Sequence, residues 1–141
     1  MEDLPVITIL FAATIILLQQ CLMLAVGLHR VYSKIGIGTK GDPILLRKQR
    51  RHGNLTENSA VLITIIAILE LLPIGIKVTI GFAILFLLGR ICHALGFSFE
   101  SGAMADKANL PAILRTIGAA ATSFGGIAGA LVILYSTLSA I

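Results

Sequence analysis

The sequence predicts an all-α integral membrane protein, a bundle of four transmembrane helices. Three observations predict it. Hydrophobic residues fill 57% of the 141 positions and charged residues 13%, with a mean hydropathy of +0.97, so a water-soluble domain of this length would carry more apolar surface than it could bury. Four stretches approach the roughly 20 apolar residues needed to cross about 30 Å of hydrocarbon. Most of the basic charge lies between the first two of them, at Arg30, Lys34, Lys40, Arg47, Lys48, Arg50 and Arg51, seven of the eleven lysines and arginines. The bilayer acts as the solvent, and the chain reads as a single four-helix membrane domain over residues 1–141.

The first span, about residues 4–28, carries Gln19 and Gln20 in its inner part. Ahead of it there is neither the basic region nor the small-residue cleavage site of a signal peptide, so it is expected to remain as an uncleaved anchor. The basic loop 30–51 follows. By the positive-inside rule it is cytoplasmic, with Glu2 and Asp3 and both termini on the opposite side. Arg47, Lys48 and Arg51 are expected to snorkel to lipid headgroups, which accounts for the net charge of +4 without nucleic acid. The second and third spans, about 55–72 and 74–97, meet at Leu71-Leu72-Pro73-Ile74-Gly75. There the proline disfavours further helix and the glycine permits a tight turn, giving a short helical hairpin. The fourth span, 110–138, holds Gly125-x-x-x-Gly129 beside Gly118, Thr122 and Gly126, a composition that lets helices approach closely. Cys21 and Cys92 fall within spans and are expected to be free, packing thiols.

A polar cluster stands at the mouth of the second span. At spacings i, i+4 and i+7, Arg50, Asn54 and Glu57 fall within roughly a 60° arc of one helical face. An arginine, an amide and a carboxylate facing together can hold a small zwitterionic molecule. A rise of about 1.5 Å per residue places Arg90, His93 and Arg115 at a similar depth. Arg90, His93 and Phe97 share a face of the third span. Ionisable groups at membrane depth are costly unless paired or solvated, so a pocket open to the cytoplasm accounts for the six together. The structural alternatives are a helix-stabilising charge pair within the Arg50–Glu57 segment, an interhelical ion pair between Arg90 and Glu57, and a packing role for His93. His52 lies on the other side of its helix. Gly36-Ile37-Gly38-Thr39-Lys40-Gly41 fits G-x-G-x-x-G but has no preceding strand or βαβ unit, so it reads as a flexible connector. The sequon Asn54-Leu55-Thr56 lies on the cytoplasmic side at the membrane boundary and is not expected to be glycosylated. No metal-ligand cluster, nucleophile triad or phosphate loop is legible in the sequence.

The segment from Arg50 to Glu57 resembles the R-x-x-x-N-x-x-E signature of the MAPEG family, the membrane-associated proteins in eicosanoid and glutathione metabolism. Gly89-Arg90-Ile91-Cys92-His93-Ala94-Leu95-Gly96-Phe97 resembles that family's third-helix motif, and Leu114-Arg115-Thr116-Ile117-Gly118 resembles the start of its fourth helix. Leu18-Gln19 and Arg30 fit its first helix. The resemblance implies a homotrimer that binds glutathione between neighbouring subunits, near the cytoplasmic side. By that resemblance Arg50, with Arg30 as a further contact, would hold a glutathione carboxylate. Asn54 would hold its peptide or carboxylate groups, and Glu57 its ammonium. Arg90 and His93 would be additional binding residues. Arg115 would be catalytic, its cation lowering the thiol pKa and stabilising the thiolate.

Two residues depart from the family pattern: Phe97 stands where many members have tyrosine, and Asn58 follows the glutamate where tyrosine is frequent. The connector from Phe97 to Arg115 is also longer than in the eicosanoid-producing members. The function implied is a detoxifying glutathione transferase or peroxidase, acting on lipophilic electrophiles or lipid hydroperoxides that arrive laterally from the bilayer. Its partners would be itself, glutathione as co-substrate, the electrophile or lipid, and membrane lipids, with no metal and no nucleic acid. The membrane would be a bacterial inner membrane or an intracellular eukaryotic one. Two other classes stay open: a non-catalytic lipid-binding scaffold on the same frame, and a small transporter or channel subunit.

Overall fold

The computed structural model describes residues 4–99 and 109–141. Glu2, Asp3 and most of the connector between Phe97 and Arg115 lie outside the described residues. Four helices follow in order: α1 (Val6–Ser33), α2 (Pro43–Leu71), α3 (Ile76–Gly96) and α4 (Leu110–Leu138). No strand occurs among the described residues. All four helices are long and apolar enough to cross a membrane, and the chain is a multi-pass membrane protein. The expected hairpin joins α2 to α3 through residues 72–75.

The basic segment 30–51 is not one loop, because α2 begins at Pro43, well ahead of its apolar stretch. The local reason is an N-cap. The Asp42 carboxylate accepts from the backbone N–H groups of Ile44 and Leu45 at 2.8 and 2.9 Å, and Pro43 occupies the first helical position, where no N–H is needed. The Leu45 N–H, together with His29 whose Nε2 lies 2.8 Å from Asp42 Oδ2, holds the Asp42 carboxyl below its ordinary value. Arg47, Lys48, Arg50 and Arg51 therefore ride on the first turns of α2. The remaining connector is held rather than flexible: Arg30 Nη1 lies 3.1 Å from each of the carbonyl oxygens of Ile35, Gly36 and Gly38.

At the other end of the bundle, α1 has no side-chain cap of its own. Glu70, in the last turn of α2, supplies one. Its carboxylate accepts from the N–H groups of Ile7 and Thr8 at 2.8 and 2.7 Å and from Thr8 Oγ1 at 2.7 Å. Unpaired N–H groups are expensive in an apolar medium, and a carboxylate at a helix N-terminus also meets the positive end of the dipole. An acidic residue inside an apolar span thereby finds its use.

Phe11, Ile15 and Leu22 of α1, Leu55, Leu62, Ile66 and Leu69 of α2, and Phe86 of α3 form the core. The most extensive helix contact is that of α3 with α4. The buried residues of α4 are all small, Gly118, Thr122, Gly125 and Gly129, at spacings that trace one face. Gly126 looks into open space instead. At Gly118 a Cβ would come within 2.6 Å of the His93 backbone nitrogen, and at Gly96 within 2.8 Å of the Arg115 backbone nitrogen. Backbone thus touches backbone where the polar residues of α3 reside. Both cysteines are free. Cys21 is exposed, so it does not pack inside the chain as expected, whereas Cys92 is partly buried.

Removing the shared cap with Glu70→Ala should lower the unfolding free energy by about 1 to 3 kcal/mol, read from thermal unfolding in detergent; an unchanged midpoint would show that the cap contributes nothing. For Asp42 the folded value lies below the unfolded one, so its contribution is present at neutral pH and fades as the pH falls below about 4. Parent and Asp42→Ala midpoints should differ at pH 7 and converge in acid.

Candidate functional site

Arg90 is the centre of the polar region. Although fully charged in kind, it is only 3% exposed. Its Nη1 donates to Asn54 Oδ1 at 2.8 Å and its Nη2 to the Gly118 carbonyl oxygen at 3.0 Å, so one guanidinium on α3 spans α2 and α4. Thr122 Oγ1 donates to the same carbonyl at 2.9 Å. The Nε of Arg90 is buried without a partner among the described residues. The ion pair envisaged between Arg90 and Glu57 does not form. Asn54 is half-buried and turned toward α3, whereas Glu57 is exposed, so neutral oxygens take the place of a carboxylate.

This clamp fixes the polarity of Asn54. A guanidinium only donates, so the amide oxygen must face it and the amide nitrogen is left to donate elsewhere. Asn58, one turn on, donates from Nδ2 to the Asn54 carbonyl oxygen at 2.8 Å. Arg50 and Glu57 flank Asn54 on the exposed side of α2. No ion pair joins them among the described residues, so the alternative of a helix-stabilising charge pair is not realised.

A cavity of about 90 Å³ opens between Asn54, Asn58, Arg90, His93, Thr122 and Ser123. Three of these were not singled out as site residues from sequence. Asn58 was detectable, since it falls one turn from Asn54 on the same face; Thr122 reads from sequence only as part of the small packing face of the fourth span, and Ser123 gives no signal beyond being polar in an apolar helix. A larger cavity of about 300 Å³ lies elsewhere, between Ile7, Leu10 and Phe11 of α1 and Ile80, Ile84 and Leu87 of α3. Its walls are almost wholly apolar and it belongs to the opposite half of the bundle from this cluster.

Arg115 reaches the region through an aromatic ring. Its guanidinium carbon stands 5.0 Å from the centroid of Phe97, and that ring lies 5.1 Å from the His93 ring. A cation over a ring face is attracted by the ring quadrupole, so Phe97 serves as a platform for Arg115 without any hydroxyl. The structure therefore brings Asn54, Arg90 and His93 to one cavity and sets Arg115 one ring away. Arg50 and Glu57 are exposed on α2 and do not line that cavity. Arg30 is turned into its own loop carbonyls.

The chain matches the MAPEG family over residues 8–135, a stretch that takes in α2 and α3 entirely and most of α1 and α4. It belongs to that family, whose members include glutathione transferases and proteins of other function. No individually curated protein matches the chain.

Hydrogen bonds from a charged donor contribute about 1.5 to 3 kcal/mol net. A double-mutant cycle on Arg90→Met and Asn54→Leu, followed by unfolding in detergent, should return a coupling of about that size; additive effects would mean that the clamp does not join α2 to α3.

Proposed function

We propose that the protein is a membrane glutathione transferase with peroxidase capacity toward lipid hydroperoxides. The observation that carries this reading is the row along one face of α2: the exposed Arg50 cation, the half-buried Asn54 amide whose oxygen is taken by Arg90, and the exposed Glu57 carboxylate. Glutathione has carboxylates, peptide carbonyls and one ammonium. In this reading Arg50 takes a carboxylate, Asn54 donates to a carboxylate or peptide carbonyl, and Glu57 accepts from the ammonium. Membership of the family makes glutathione the first candidate among zwitterionic peptides. One face of one chain covers one side of such a ligand. A neighbouring copy in a homotrimer supplies the other, with the site open to the cytoplasm and both termini on the far side.

Glutathione supplies the sulfur nucleophile. Arg115, held over Phe97, provides a positive field that favours the deprotonated thiol. His93 and Arg90 keep the cavity behind the α2 face polar. Because Phe97 and Asn58 carry no phenol, Arg115 bears the thiol activation without a tyrosine donor. The electrophile enters from the bilayer, so the apolar partner never has to cross water.

Calorimetric titration of the detergent-solubilised protein with glutathione tests the binding half. Arg50→Ala and Glu57→Ala should each weaken affinity by about 10- to 100-fold, the equivalent of one charge-assisted contact; unchanged affinity in both would return the cluster to a structural role. Thiolate absorbance and turnover of a generic hydrophobic electrophile test the chemical half. Arg115→Ala should cut both more than it cuts binding, and Arg115→Lys should restore only part, since it keeps the charge but loses the planar fork. Equal thiolate and equal turnover in all three proteins would favour the non-catalytic scaffold.

A further inference from the structure

Arg47, Lys48 and Arg51 lie on a flank of α2 roughly 100° round from the Arg50, Asn54 and Glu57 face, and this flank meets the end of α3. Arg51 Nη1 donates to Ser98 Oγ at 2.6 Å, while Ser98 Oγ donates onward to the Ala94 carbonyl oxygen at 3.0 Å. The hydroxyl is thereby fixed as an acceptor toward α2. Arg51 Nε is buried without a partner among the described residues. Lys48 Nζ lies 3.3 Å from His29 Nδ1, an acceptor that uses one ammonium hydrogen. Neither Lys48 nor Arg51 forms an ion pair with a carboxylate among the described residues. Between them is a cleft of about 60 Å³, walled by Ile44, Arg47, Lys48, Arg51, Phe97 and Ser98, a size suited to one small oxyanion.

The depth of the cleft narrows what fills it. Arg51 is one turn before Leu55, where the apolar run of α2 begins, and Ser98 lies just past the end of α3 at Gly96. Basic clefts between helices at the membrane boundary meet lipid phosphates there. We propose that this cleft is a phosphate-binding site, separate from the glutathione face, that takes the phosphate of an anionic phospholipid headgroup or the free ion. Snorkelling alone would spread three flexible side chains over many lipids. Here Ser98 pins Arg51 and His29 steers Lys48, so the cations converge on one position and retain a single headgroup.

The test uses the full-length protein in neutral detergent, with phosphatidylglycerol and phosphatidylcholine titrated in turn and bound lipid counted by native mass spectrometry. Inorganic phosphate is tested separately by its effect on the unfolding midpoint. A cation near a phosphate contributes about 1 kcal/mol, so Arg51→Gln and Lys48→Gln should each reduce phosphatidylglycerol retention about fivefold. Retention should be unaffected by Lys40→Gln on the exposed connector, and phosphatidylcholine should bind weakly to every variant. That pattern assigns the site to a lipid headgroup. Stabilisation by inorganic phosphate that disappears in both variants, with no lipid preference, assigns it to the free ion. If neither probe depends on Arg51 or Lys48, the proposal is overturned. Lys48→Gln keeps the test decisive if Arg51→Gln fails to fold. Glutathione affinity should be unchanged in Lys48→Gln, and its loss there would overturn the separation of the two sites.

Discussion

A positive charge buried among four apolar helices has to be satisfied, and the way Arg90 is satisfied organises its surroundings. Its two bonds run to Asn54 on α2 and to the Gly118 carbonyl on α4. The second bond needs α4 to come close enough for its backbone to accept, and that approach is open only because position 118 has no Cβ to strike the His93 backbone. The first turns Asn54 so that its oxygen is spent inward. Helix spacing, the identity of residue 118 and the polarity of the α2 face thus follow from one guanidinium.

The same logic recurs at the far end. In lipid, apolar side chains gain little by exchanging tails for one another, so helix association leans on close packing and on hydrogen bonds between helices. Glu70 ties α2 to the start of α1, and the Asp42–His29 pair ties the other end of α1 to the start of α2. Arg90 then joins the α1–α2 pair to the closely packed α3–α4 pair. Glu70 and Arg90, the ionisable groups that make these inter-helix bonds, satisfy backbone or amide groups of another helix, which is how a span can hold ionisable groups and remain stable.

Much of this was legible from residue order. The four apolar runs, the Pro73–Gly75 turn and the small face through Gly118, Thr122, Gly125 and Gly129 follow from length, turn chemistry and periodicity. So does the shared face of Arg50, Asn54 and Glu57. Periodicity says which residues of a helix look the same way, but not which neighbour they meet. That is why Arg90 was matched with Glu57 when Asn54, one turn nearer, holds it. The capping of α1 by a residue more than 60 positions away leaves no local signal at all. The start of α2 did leave one, in Asp42 followed by Pro43, yet a run of basic residues reads as a solvated loop until the cap is seen to hold. Phe97 read as a lost phenol because a missing hydroxyl is visible in sequence and a ring beneath a guanidinium is not.

Arg90 takes the Asn54 oxygen, and the proposal that this leaves the amide nitrogen to donate to glutathione is addressed most directly by Asn54→Asp. Aspartate keeps the shape and still accepts from Arg90, so the unfolding midpoint in detergent should equal or exceed that of the parent. It offers no N–H, so glutathione affinity measured calorimetrically on the same sample should fall about tenfold or more. A protein that stays as stable as the parent and binds glutathione equally well would contradict the claim, because the amide nitrogen would then have no part in holding the peptide.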